Sequence, residues 1–114
     1  MAEKRKLHIL WTNADVNTSI LMVMMYAKNS MARGWWDEVT VIVWGATAKL
    51  VAENATVREE MEIARRAGVK SAACVSCARQ LGVLEELESS GVEIIAWGEP
   101  LTRILQEKEP LLTV

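Results

Sequence analysis

The sequence predicts an α/β fold: a single three-layer domain, residues 1–114, on a mostly parallel sheet of four to five strands. Three observations carry this. Short β-branched or apolar runs alternate with helix-like segments along the whole chain. No Asn-Gly or similar hairpin signal joins one run to the next, and the helical segments between them are long enough for crossovers. Finally, 114 residues are the size of one domain, with no repeat or linker-like stretch inside them.

Residues 7–12 read as a strand buried on both faces, because apolar side chains occupy both alternating positions. The loop Asn13, Ala14, Asp15 precedes a helix over 16–33, with Asp15 or Asn17 as its cap and Gly34 as its stop. Residues 20–27 are apolar without a break, so two turns of this helix need cover on more than one side. Either a second subunit supplies it, with Trp35 and Trp36 extending the patch, or the domain's own loops do.

Residues 38–44 form the second strand, closed by Gly45. A short helix over 46–53 breaks at Asn54. Thr56 and Glu59 then supply a capping box for an amphipathic helix with Val57, Met61 and Ala64 on one face, ending at Ala67 before Gly68. The third strand covers 69–75, and Ser76 is placed to cap a helix over 77–89 that Gly91 ends. The acidic run Glu85, Glu86 and Glu88 makes a solvated face. Residues 92–97 form the fourth strand, 101–108 the last helix with Pro100 in its first turn, and 111–114 could add a short final strand.

A formal net charge of −2 and a pI near 5.5 give no electrostatic footprint for nucleic acid, and the Lys4-Arg5-Lys6 cluster reads as a solvated lead-in. No membrane span is expected, since the longest apolar run is far too short. The passage from Glu3 and Lys4 into residues 7–13 lacks a signal peptide's plan, so a cytoplasmic protein is expected. There two cysteines stay reduced. A domain of this size needs no disulfide staple, so a C-x-x-C pair points to catalytic, redox or metal chemistry.

In open parallel sheets ligands bind at the carboxyl ends of the strands. Asn13 and Asp15, Trp44 and Gly45, Cys74 and Cys77, and Gly98 and Glu99 are expected there. Cys74 and Cys77 are the candidate catalytic residues. They stand at a strand-to-helix turn, where unpaired first-turn N–H groups and the helix dipole favour a thiolate, and Arg79 adds positive charge. Asn13, Asp15, Gly45, Ser76, Arg79 and Gly98 form the candidate substrate-binding set, although Asn13 and Asp15 also serve as helix caps. The first cysteine of such a pair is expected to project toward solvent and the second to turn inward.

Nucleotide-dependent chemistry is not expected, because G-x-G-x-x-G after the first strand, a Walker loop, H-E-x-x-H and G-x-S-x-G are all missing. No cofactor follows. Two cysteines and one histidine fall short of a zinc set, so no metal is expected either. His8, inside the first strand, reads as a core group. Dithiol redox chemistry also uses C-x-x-C at a helix start, but here the motif follows the third strand with no proline placed to face it. The pair could otherwise be two small core hydrophobes, or line the pocket of a non-catalytic small-ligand binding or regulatory module.

The run C-V-S-C-A-R-Q-L-G, from Cys74 to Gly82, resembles the C-x-x-C-x-x-R-G or C-x-x-x-x-x-x-x-G turn after the third strand of the DsrE/DsrF-like sulfur-relay proteins. The TusD-type and YchN-like proteins are among them. Length and strand-helix order are similar over essentially the whole chain. The resemblance implies a DsrE-like fold and cofactor-free sulfur transfer: a thiolate takes a sulfane sulfur from a donor protein as a persulfide and passes it to an acceptor protein's cysteine. In that family the cysteine eight residues before the glycine carries the sulfur, which here is Cys74, and Cys77 matches a second cysteine that some members possess. Where the family has a basic residue before the glycine, this chain has Leu81, with Arg79 two residues earlier. Members assemble as trimers or hexamers, so a homo-oligomer is implied.

Overall fold

Four strands, β1 (Lys6–Trp11), β2 (Glu38–Val43), β3 (Lys70–Cys74) and β4 (Glu93–Ile95), are laid side by side, and β5 (Leu111–Thr113) joins the free edge of β1. The order is β4-β3-β2-β1-β5, with every pairing parallel. Right-handed crossovers then decide where the helices go. The connections from β1 through to β4 all step the same way, so their helices share one face. These are α1 (Val16–Thr18), a π-helical stretch (Ser19–Met24), α2 (Met25–Ala32), α3 (Ala46–Glu53), α4 (Ala55–Arg66), α5 (Val75–Gln80) and α6 (Leu84–Ser89). The return from β4 to β5 runs the opposite way and puts α7 (Gly98–Gln106) on the other face. This computed structural model describes residues 4–114, so Glu3 of the lead-in lies outside the described residues. The predicted three-layer α/β domain is the one observed.

The two faces are unequal. Leu7, Ile9, Trp11, Val39, Val41 and Val43 of the sheet pack with Val23, Met24, Ala27, Val51, Val57 and Leu87 of the helices. Full burial of such a side chain stabilises by roughly 1.5–3 kcal/mol, so this layer dominates stability. The α7 face holds a smaller core of Ile42, Ala72, Cys74, Trp97 and Ile104. There Trp97 Nε1 donates to the Ala72 carbonyl at 3.3 Å and fastens the start of α7 to β3.

The last helix begins at Gly98 and the fourth strand spans only Glu93–Ile95, and three further departures from expectation each have a local reason. Asp15 caps the first helix as predicted, accepting the Thr18 N–H at 2.8 Å, but the middle of that helix is wound as π rather than α. Ser19 sits there fully buried, its Oγ 2.7 Å from the Asp15 carbonyl and accepting from Trp11 Nε1 at 3.0 Å. A hydroxyl bonding back four residues competes with the regular ladder. The Thr56 capping box is unused, because Asn54 accepts the Val57 N–H at 2.9 Å and starts α4 at Ala55. Arg58 reinforces this early start by donating to the carbonyls of Val51 and Ala52, both at 2.9 Å, at the end of α3.

The helix expected over 77–89 is two helices. Gly82, at φ +69°, ends α5: its N–H donates to the Arg79 carbonyl at 3.1 Å and the Val83 N–H to the Ala78 carbonyl at 2.9 Å. These paired bonds, with Val83 packed in the same core as Ala78, are a Schellman ending.

The apolar helix is covered in part by its own domain. Val23, Met24 and Ala27 are buried, while Leu21, Met25 and Trp35 remain 60%, 42% and 48% exposed. Trp36 Nε1 donates to Tyr26 Oη at 3.1 Å, and Trp35 lies beside the Tyr26 ring with the Arg33 guanidinium 5.9 Å from its own. Among the described residues no helix is long and apolar enough to cross a membrane.

Candidate functional site

The chain leaves β3 into α5 on one face and leaves β4 into α7 on the other, and it is at the carboxyl ends of strands at such a switch point that open parallel sheets bind ligands. Both cysteines are there. Cys74 ends β3 and takes the N-cap position of α5, without a side-chain cap bond, and Cys77 is the third helical residue. The helix thus begins at Val75, two residues earlier than the predicted start, and Ser76 is an exposed first-turn residue rather than the cap.

The end of β3 and this early helix start together decide which thiol faces out. Cys74 is only 6% exposed, enclosed with Ile42, Ala72, Trp97 and Ile104, whereas Cys77 is partly open and touches both cores. The expectation that Cys74 is the accessible thiol is therefore reversed. Lys70 opens β3 in solvent, and the pleat buries Ala72 and Cys74 on the α7 side, so the end of the strand points the first cysteine inward.

Gly45 is the residue brought to the thiols. Its N–H donates to Cys77 Sγ at 3.2 Å from a turn whose φ of +70° and ψ of −134° favour glycine. Thr47, fully buried, holds that turn: its Oγ donates to the Trp11 carbonyl at 2.7 Å and accepts the Trp44 N–H at 3.1 Å, tying the ends of β1 and β2 together. Sequence reading passed over Thr47. A threonine two residues after the strand-closing glycine was the available signal, since its hydroxyl can reach back to the turn.

The remaining candidates stay in local roles. Asp15 caps α1, and Asn13 Oδ1 accepts the Asp15 N–H at 2.9 Å. Arg79 is exposed, and its side chain makes no hydrogen bond or ion pair among the described residues. Gly98 opens α7 and its carbonyl accepts Thr102 Oγ at 2.7 Å, while Glu99 lies 3.9 Å from Arg103. None of them hydrogen-bonds a thiol.

Burial pushes the Cys77 thiol above its ordinary range; the Gly45 N–H pulls it down, and the hydrogen bond and charge of Cys74 push it up again. The expected activated thiolate is thus corrected for Cys77, where desolvation of the charged form outweighs the N–H donor. Among the described residues no group of three or more His, Cys, Asp or Glu is placed to hold a metal. A cavity of about 810 Å³ opens at the opposite end of β3 and β4, beside Arg58, Glu62, Lys70 and Glu93, but it contains no thiol. Chemistry rather than volume therefore singles out the thiol end of the sheet.

Over 96% of its length the chain is similar to BT1422 of Bacteroides thetaiotaomicron, a conserved protein of unknown function, with 37% identity, a TM-score of 0.93 and 95% of that protein covered. The chain belongs to the BT1422 family. This BT1422-family chain is also similar to YchN of E. coli, at 17% identity and a TM-score of 0.73 over 96% of this chain and 99% of that one. MTH1491 of Methanobacterium thermoautotrophicum, a protein of unknown function, gives 15% identity and a TM-score of 0.76 over 98% of this chain and 100% of that one. These two likenesses bear out the DsrE/YchN-type fold, and at such identity they speak for the fold alone. No family model matches the sequence, and no curated protein matches it.

Proposed function

We propose that the protein carries sulfur as a persulfide on its thiol pair in the cytoplasm, between a donor protein and an acceptor protein. The observation that carries this reading is the Gly45 N–H directed at Cys77 Sγ. Sulfur transfer is thiol exchange: the Cys77 thiolate attacks the outer sulfur of the donor's persulfide, breaking its S–S bond and releasing the donor thiolate, and an acceptor thiolate later takes the outer sulfur and expels Cys77 as a thiolate. A fixed N–H donor favours that departing charge, and no cofactor is needed. The DsrE/YchN-type fold and the likeness of the run from Cys74 to Gly82 support the same class of chemistry. Cys77 rather than Cys74 takes the incoming sulfur, because solvent reaches it.

Intact mass after incubation with inorganic polysulfide tests this. Wild type and Cys74→Ser are expected to gain a sulfur atom, and Cys77→Ser to gain none. Loading of Cys77→Ser but not of Cys74→Ser would give carriage to Cys74, the residue that the family count selects. A wild type that never gains sulfur would favour a small-ligand binding module.

The exposed Leu21, Met25 and Trp35 form the surface on which a homo-oligomer, a trimer or hexamer, would assemble. Met25→Glu is expected to shift sedimentation toward the 12.7 kDa monomer. An unpaired carboxylate buried at an interface costs on the order of several kcal/mol. Wild type sedimenting as a monomer at micromolar concentration would retire this interface.

A further inference from the structure

The buried thiol gives the cargo a second exit. Cys74 at the N-cap and Cys77 at the third helical residue share one turn of α5. Cys77 packs against the small core that encloses Cys74, which brings the two side chains near each other. Cys74 itself is only 6% exposed. A protein partner has little access to such a sulfur, whereas a sulfur bound on Cys77 is already beside it. A thiol shielded in this way is suited to intramolecular exchange.

Resting on sulfur carriage by Cys77, we propose that the pair reduces its own persulfide: Cys74 attacks Sγ of the Cys77 persulfide and the outer sulfur leaves as hydrogen sulfide. The bond between Cys77 and the outer sulfur breaks, and a Cys74–Cys77 disulfide forms. The proton of the Cys74 thiol departs with the sulfide. Each cysteine gives up one electron, and the sulfane sulfur takes both, so the cargo is its own oxidant. A dithiol reductant then returns the pair to thiols. The protein thereby converts sulfane sulfur to sulfide whenever no acceptor thiol takes the outer sulfur first.

The full-length chain is loaded with inorganic polysulfide, freed of excess by gel filtration, and followed by intact mass and by released sulfide. Wild type is expected to lose the added sulfur, release one sulfide per loaded chain and finish two hydrogens lighter than its reduced form. Cys74→Ala, which keeps an apolar group in the small core, is expected to hold its persulfide on the order of tenfold longer, since only outside thiols remain to discharge it. Cys74→Ser provides a second variant should alanine loosen that core. A loaded wild type that holds its persulfide as long as these variants, or that releases sulfide without the internal disulfide, overturns self-reduction and leaves carriage standing. Absence of added sulfur on wild type and on both variants, with no sulfide released, overturns both.

Discussion

Gly45→Ala is expected to move the alkylation profile of Cys77 about one pH unit further upward, the size of one hydrogen bond to a charged group, and to slow sulfur loading at neutral pH. Alkylation consumes thiolate. Because burial holds the Cys77 thiol above its ordinary range, the wild-type rate should still climb beyond about pH 8.5, the unperturbed thiol value. The Gly45 N–H favours the charged form, so its loss lowers the thiolate fraction at every pH below the plateau.

Alanine removes that N–H through backbone geometry rather than through a clash. No heavy atom outside the immediate chain lies within 4 Å of a Cβ added at Gly45, yet φ of +70° is strained for any side chain. Such strain costs roughly 1–3 kcal/mol, and rotating the turn to relieve it takes the N–H away from Cys77 Sγ. Stability and reactivity should therefore fall together. A wild-type profile centred on the ordinary thiol value, or an unchanged profile in Gly45→Ala, would deny this N–H a role at the sulfur.

The parts of the fold that were legible are those written locally. Gly45 and Gly68 punctuate the chain where strand and helix exchange, and the β-branched run of β2 has no helical alternative, so the order of elements follows from sequence. The uncovered strip was legible only in part. Residues 20–27 declared an excess of apolar surface, but which of them the domain covers depends on how the π-wound segment packs against α4, and that contact is tertiary.

The site shows the same division. Gly45 and both cysteines were recognisable as residues at strand ends, but the orientation of Cys74 hung on the pleat of β3 and that of Cys77 on helix phase. Starting α5 at Val75 instead of Cys77 turns every following side chain by about 200° around the axis relative to the start, enough to exchange an inward for an outward thiol. Gly82 belongs to the sequence likeness and is also the residue that ends α5, a role read from its φ of +69° and the bonds on either side. The place of Thr47 after Gly45 was a local signal, but its bond to β1 was not legible, because that partner lies 36 residues away.

Thr47→Val is expected to destabilise the protein by about 1–3 kcal/mol, the cost of leaving buried polar groups short of a partner. Valine keeps the β-branched shape and removes the hydroxyl. The Trp11 carbonyl then loses a 2.7 Å bond and the Trp44 N–H a 3.1 Å bond; the direct contact between those two groups, at 3.3 Å, offsets part of the loss. For a domain of this size each kcal/mol lowers Tm by roughly 4–8 °C, so thermal unfolding reads the effect directly. The hydroxyl also fixes the turn that aims the Gly45 N–H, so the alkylation profile of Cys77 should move upward in pH, in the same direction as in Gly45→Ala. Thr47→Ser restores the hydroxyl while giving up a methyl group. It is expected to recover the alkylation profile even where packing keeps Tm below that of wild type. A valine variant that loses stability but keeps the wild-type profile would confine Thr47 to the core and separate it from the thiol.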